Sequence, residues 1–229
     1  MKFVGHRGAS DDAPENTLES IKLAWEQGAY GAECDIILTK DLRLVLMHDD
    51  STKRTALDGI DLIVEKTDWK ELQKLDVGSW KGEKWRGVKI PLLEDVLRAI
   101  PEGKHLFIEI KTGDANSGAD PRVIDHLPEL VEKEKISPEK ISFICFDHEF
   151  LNRLKKRLPD YRAYYLTTFS PQPGKWPDVR NDEELEVYIK EALSNGMDGL
   201  DMENSPVIKK EWVERIHESG LKVVIWSYG

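Results

Sequence analysis

Apolar runs of four to seven residues recur along the chain, and amphipathic stretches separate most of them. Lys2–Gly5, Ala32–Leu38, Arg43–Met47, Leu106–Ile110, Ile141–Phe146, Arg162–Leu166, Asp198–Met202 and Lys222–Trp226 have the length and bounds of buried strands. Asn16-Thr17-Leu18-Glu19 has the form of a capping box opening a first helix, with Leu18, Ile21 and Trp25 as its apolar stripe. Pro91–Ile100, Pro121–Lys135, His148–Arg157, Asp182–Ser194 and Ser205–Ser219 have the same helical look, and Gly196 and Gly220 fall where C-caps belong.

Strands alternating with helices imply parallel pairing with the helices outside, hence an α/β barrel or a doubly wound sheet. One joint breaks the rhythm. Only Thr39-Lys40-Asp41-Leu42 separates the second apolar run from the third, too few residues for a parallel crossover. The third run must therefore return as a hairpin, bringing Arg43–His48 beside the second. Between residues 49 and 90 the apolar pattern is irregular, and Trp69, Trp80 and Trp85 lie among Gly78, Gly82 and Gly87. This stretch reads as a small insertion packed on the barrel mouth with the three tryptophans as its core, within one domain spanning 1–229.

Charge narrows the partners. With 33 basic and 43 acidic residues the net charge is −10, which disfavours nucleic acid or an anionic membrane as the main partner. No apolar run approaches the roughly 18 residues of a membrane span. Met1-Lys2 leads straight into Phe3-Val4-Gly5, so the sequence as it stands reads as cytoplasmic, or as periplasmic or secreted after removal of a leader. Cys34 and Cys145 sit inside apolar runs and read as buried reduced thiols. Nothing in the pattern sets an oligomeric state.

Chemistry concentrates at strand ends. Glu33 and Asp35 are two apart on the second strand and so share a face; Glu109 and Lys111 repeat that spacing on a later one. Charges in apolar strands are costly without partners. Structural salt bridging, Glu109 to Lys111 or Arg7 to Asp35, is the plain alternative. Three carboxylates on neighbouring strand ends are also hard oxygen ligands suited to one Mg²⁺ or Ca²⁺. The returning hairpin brings His48 to the level of Glu33 and Asp35, near His6 at the end of the first strand, a pairing suited to general acid–base work. His105, His126, His148 and His217 lack such company and read as packing or surface residues.

The ordered run His6-Arg7-Gly8, Glu15-Asn16-Thr17, Glu33-Cys34-Asp35, His48-Asp49 and Glu109-Ile110-Lys111 resembles the glycerophosphodiester phosphodiesterase family. Leu75–Trp80, Ile90–Glu94 and Val224–Ser227 resemble its insertion, the helix after it and its late Trp-containing strand. The resemblance implies a TIM-type barrel with the site at the carboxyl ends of the strands. It implies Glu33, Asp35 and Glu109 as ligands of a divalent cation, His6 and His48 as the acid–base pair, and Arg7 and Lys111 as cations meeting the phosphate. It implies Trp226 as the aromatic beside the substrate's glycerol or leaving group. The reaction implied is hydrolysis of a small-molecule glycerophosphodiester to sn-glycerol 3-phosphate and an alcohol.

Leu92 and Cys145 stand where the family commonly has Thr and Ser. The family also continues past its Trp-containing strand through one more β/α unit, whereas this chain stops at Tyr228-Gly229, leaving seven parallel strands. Three other readings stand beside this one. A lysophospholipid or lipid-headgroup phosphodiesterase would need an apolar channel, built from Trp69, Trp80 and Trp85. A non-catalytic ligand-binding barrel would have no use for an acid–base pair. A glycosidase using paired carboxylates would not need Arg7 and Lys111.

Overall fold

The computed structural model describes residues 1–112, 118–169 and 177–227. Strands β1 (Val4–Gly5), β2 (Gly31–Leu38), β4 (His105–Ile110), β5 (Ile141–Cys145), β6 (Arg162–Thr167), β7 (Gly199–Glu203) and β8 (Lys222–Trp226) pair in parallel in that order. Together they form a curled, TIM-type barrel, open between β1 and β8 among the described residues. The point where the family's further β/α unit would follow, Tyr228-Gly229, lies outside the described residues.

Strand β3 (Leu44–Leu46) is the predicted return. It pairs antiparallel with β2 through Ile36–Leu46, Ile37–Val45 and Leu38–Leu44. The Met47 N–H donates to the Asp35 carbonyl at 3.1 Å, so His48 comes back to the carboxylate level. The first strand is shorter than its apolar run because only Val4 and Gly5 stand in register with β2; Phe3, before them, offers only its carbonyl, to the Tyr30 and Gly31 N–H groups, and is exposed.

Helix α1 (Leu18–Glu26) buries Ile21, Ala24 and Trp25 against the sheet. Its capping box lies one residue later than the sequence pattern places it: Thr17 and Ser20 cap each other's backbone N–H groups. Asn16 is thereby released for other work. It takes a left-handed conformation (φ 53°), which asparagine tolerates better than most residues.

Helices α3 (Leu93–Ala99), α4 (Val123–Lys133), α5 (His148–Arg157), α6 (Asp182–Ser194) and α7 (Lys210–Glu218) supply outer layers. The last begins later than its apolar pattern suggests. Pro206 disfavours helical backbone at Ser205, a separate turn closes from Ile208 N–H to the Ser205 carbonyl, and Lys209 is extended. Among the described residues no helix is long and apolar enough to cross a membrane.

Residues 49–90 fold into short turns and the one-turn helix α2 (Trp69–Leu72). Their apolar cluster is aliphatic: Val64, Leu72, Leu75, Val77 and Ile90 pack on Val45 and Ile37. The expected tryptophan core is corrected here. Trp80 is 41% exposed and Trp69 only flanks the cluster. Trp85 reaches across to donate its indole N–H to the Asp12 carbonyl at 3.2 Å, pinning the insertion to the loop after β1. A large indole is hard to enclose in so small a unit, and its N–H needs an acceptor.

Two histidines outside the pocket lining lock the frame. His105, 1% exposed, bonds the Glu139 carbonyl through Nδ1 and the Ser142 hydroxyl through Nε2. His148 stacks on Tyr165 with ring centroids 3.9 Å apart and bonds the Leu166 carbonyl. Burial pushes both down to about 4 from 6.5. The unfolded chain therefore binds more protons between those values, and stability falls as pH drops through 6.5 and levels off near 4. Each ring forfeits up to about 3 kcal/mol over that window. Denaturant melts at about pH 7 and about pH 4.5 should show the loss, and His105→Gln should flatten part of it; a parallel fall in that variant would sink the assignment.

Candidate active site

The chain reaches the site first through the loop Gly5-His6-Arg7-Gly8. A side chain at Gly8 would meet the Ser20 backbone at 2.4 Å, and Gly8 sits at φ 81°. The loop thus presses against the start of α1, and Gly8 N–H bonds the Gly5 and Glu33 carbonyls. Arg7, just before Gly8, takes a left-handed conformation (φ 54°). Its backbone N–H donates to Glu33 Oε2 at 2.8 Å, and its guanidinium lies between Glu15 (3.0 Å) and Asp35 (3.4 Å).

Glu33 and Asp35 project from β2, and Asp35 lies directly across from Glu109 on β4. Carboxylate oxygens of Glu33, Asp35 and Glu109 come within 4.8 Å of one another. Lys111, one alternation beyond Glu109, sets its ammonium 2.7 Å from Glu109 and 3.3 Å from Asp35. The plain salt-bridge alternative is therefore real as geometry, but it does not satisfy the cluster. Glu33 Oε1 is buried without a hydrogen bond, and Asp35 Oδ1 has only the 3.3 Å ion pair to Lys111.

Electrostatics follow from this crowding. Burial, then Asp35 and Glu109, push Glu33 well above the usual carboxylate range. Burial also raises Glu109, with Lys111 opposing it. Asp35 goes the other way: against its burial, Lys111, His48 and Arg7 hold it at about 2. Lys111 is raised, its own burial outweighed by Asp35 and Glu109. Three hard oxygen donors in one cluster, with Glu33 Oε1 buried and unbonded, fit a divalent cation such as Mg²⁺ or Ca²⁺.

The histidines flank this cluster. His6 is pushed below 6.5 by burial and by Arg7, so it is neutral at pH 7. His48 directs Nδ1 at Asp49 Oδ1, 2.7 Å away. Asp49 is held below the usual carboxylate range by that bond and by Arg54, whose guanidinium also grips Glu15 at 2.7 Å through two nitrogens. Arg54 belongs to the insertion, so the chain Arg7–Glu15–Arg54–Asp49–His48 ties the insertion to both strand ends.

The barrel interior continues as an apolar wall of Phe107, Ile144, Tyr164 and Leu166, against which Phe146, Val224 and Trp226 pack. Trp226 meets Phe146 edge to face at 6.0 Å and donates its indole N–H to the Thr167 carbonyl. His6, Arg7, Glu33, His48, Glu109, Lys111 and Trp226 share one pocket, and Asp35 lies buried behind them. Trp69, Trp80 and Trp85 are not among the lining of this pocket.

Three further participants escape the sequence pattern. Asn16 clamps Asp35, donating Nδ2–H to Oδ2 at 2.7 Å and accepting from the Asp35 backbone at 3.0 Å. The apolar pattern reads it only as part of a helix cap, and Glu15-Asn16-Thr17 enters the family resemblance without a role for either Glu15 or Asn16. Arg54, 39 residues beyond Glu15, gives no signal. Asp201 does have a signal: it alternates with apolar Leu200 and Met202, the pattern that marks Glu33 and Asp35.

A curled parallel barrel with an acidic triad, two cations and two imidazoles at its carboxyl mouth defines a phosphoryl-transfer type of site on a TIM-type frame. The chain belongs to the glycerophosphoryl diester phosphodiesterase family, whose model matches residues 6–228. It is 37% identical over 165 residues to a glycerophosphodiester phosphodiesterase of Caldanaerobacter subterraneus, covering 71% of this chain and 65% of that one. It is 30% identical over 218 residues to a Bacillus subtilis protein of the same name, covering 90% and 72%. A second Bacillus subtilis relative, 42% identical over 123 residues, is matched over 50% of its length, so the aligned part spans half to two thirds of some relatives. Among solved structures, an Oleispira antarctica phosphodiesterase in complex with the product sn-glycerol-3-phosphate superposes with a TM-score of 0.80 at 26% identity, over 100% of this chain and 85% of that one.

Proposed function

We infer that this protein hydrolyses glycerophosphodiesters to sn-glycerol 3-phosphate and an alcohol. What carries the reading is the convergence, at one strand-end mouth, of a partly unsatisfied carboxylate triad, two cationic side chains and two imidazoles. The product complex of the Oleispira relative supports the substrate class.

Glu33, Asp35 and Glu109 hold one divalent cation, Mg²⁺ or Ca²⁺. When bound, it stabilises negative charge developing on the phosphoryl oxygens. Arg7 and Lys111 bind the anionic phosphodiester and oppose that same charge, which lets a protein of net charge −10 take an anion. His6, neutral and half-buried, takes the proton of the attacking hydroxyl, whether that of water or of the substrate's own glycerol. His48 gives a proton to the departing alkoxide, and Asp49, kept ionised by His48 and Arg54, fixes its ring with Nε2 turned away from that carboxylate. Trp226 flanks the glycerol or leaving-group side, and the domain spans 1–229 with the 49–90 insertion contributing Arg54.

The test is turnover of glycerophosphocholine, glycerophosphoethanolamine and glycerophosphoglycerol, each with and without chelator. We expect release of glycerol phosphate that chelator abolishes and added Mg²⁺ or Ca²⁺ restores. Turnover indifferent to chelator would remove the cation. Tight binding of the diesters with no product would favour a ligand-binding barrel, and hydrolysis of glycosides instead would favour a glycosidase.

A further inference from the structure

One ionisable side chain in the pocket has no part in the scheme above. Asp201 lines the same cavity from β7, separated from β4 by strands β5 and β6. It is 3% exposed, and its Oδ1 is buried without a hydrogen-bond partner. Its sheet neighbours are Leu166 on β6 and Val224 on β8, both part of the apolar wall. No cation pairs with it among the described residues. A polar group in so apolar a place is costly to keep unless a ligand completes its bonding.

The surroundings define that ligand. Burial, then the charge of Glu109, raise Asp201 to about 8, so near neutral pH it is largely an uncharged carboxyl. An uncharged carboxyl offers one O–H donor and one carbonyl acceptor. A bound phosphodiester adds negative charge nearby and a cation on the triad adds positive charge, so enclosure by the apolar wall is what favours the uncharged form. A ligand hydroxyl, itself donor and acceptor, matches both halves; an ammonium group would require the carboxylate that this wall disfavours.

We propose that Asp201 is a specificity-determining residue that binds a glycerol hydroxyl of the substrate, selecting glycerophosphodiesters over phosphodiesters without hydroxyls. The proposal rests on the phosphodiesterase reading and deepens it. The phosphate is held on the β1, β2 and β4 side, and the group it carries extends across the pocket toward β7. A site built to hydrogen-bond a hydroxyl also rejects analogues that lack one, since they would leave Asp201 unpaired.

The experiment compares wild type, Asp201→Leu and Asp201→Asn. Leucine matches the wall in size and polarity; asparagine keeps a donor and an acceptor. The readout is kcat/KM for glycerophosphoglycerol divided by that for bis(p-nitrophenyl) phosphate. Asp201→Leu should lower this ratio about 10- to 100-fold, chiefly through KM of the glycerol substrate, while Asp201→Asn should stay within about threefold of wild type. An unchanged ratio in Asp201→Leu overturns the proposal. So does a loss in Asp201→Asn as large as in Asp201→Leu and confined to glycerophosphocholine, which would make Asp201 an ammonium receptor. Should wild type hydrolyse none of the three substrates, the phosphodiesterase reading fails by itself. Calorimetry then decides Asp201 separately: sn-glycerol 3-phosphate should bind wild type more tightly than inorganic phosphate, with the difference lost in Asp201→Leu. Equal preference in the two proteins would count against it.

Discussion

His6→Ala and His48→Ala should each lower kcat about 10²- to 10⁴-fold while leaving the folded protein able to bind its cation. Neither ring is a member of the triad, and each stands at a strand end whose backbone is fixed independently. Gly8 and the Glu33 carbonyl hold the loop carrying His6, and the Met47–Asp35 hydrogen bond holds the approach to His48. The two losses should not add. If one ring takes a proton while the other gives one in the same displacement, removing the second after the first costs little more. The pH profile separates the roles. His6 is lowered by burial and by Arg7, and as a base it must be unprotonated. The acid limb of kcat/KM should therefore fall below pH 6.5, and that limb should vanish in His6→Ala. Full turnover in both variants would remove the pair from the chemistry; an acid limb unmoved in His6→Ala would assign the base elsewhere.

What the sequence makes legible is whatever a local period or a short loop enforces. The alternation in Glu33-Cys34-Asp35 places two carboxylates on one face, and the four residues after Leu38 leave no option but a hairpin, which delivers His48. Contacts that close over long separations leave no such trace. Arg54 reaches Asp49 and Glu15 only because the insertion folds back on the β1 loop, with Trp85 bonded to Asp12. Asn16 shows a different failure. Before a helix, Asn, Thr and Ser are interchangeable as caps, so the pattern could not tell that Thr17 caps while Asn16 serves Asp35. Asp201 was legible by the same alternation as the triad, with Glu203 two residues on, but β7 carries no cation like the Lys111 that drew attention to the carboxylates of β2 and β4.

Glu33→Gln should separate stability from function. Ionised Glu33 is disfavoured by burial and by Asp35 and Glu109, so its pKa in the native state lies well above that of the unfolded chain. A carboxyl raised in this way adds stability below its unfolded pKa and loses it as pH climbs through the native value. The metal-free wild type should therefore lose stability as pH rises through that window, and Glu33→Gln should lose less, because glutamine carries no charge and keeps a carbonyl for the Arg7 N–H. Metal binding has the opposite demand. It needs the carboxylate, so affinity should increase with pH, and saturating cation should raise the melting temperature of wild type. At a hundredfold excess over the dissociation constant the gain is about 2.7 kcal/mol, or roughly 5–10 °C for a domain of this size. In Glu33→Gln that shift should largely disappear and turnover should fall at least about 10³-fold, although the metal-free variant melts no lower than metal-free wild type. Thermal melts with Mg²⁺, Ca²⁺ or chelator read the shift without any substrate. If Glu33→Gln keeps the full shift, the cation does not depend on Glu33. If wild type shows none with either ion, the three carboxylates are a charge cluster satisfied by Arg7 and Lys111 alone, and the dication has no place in the site.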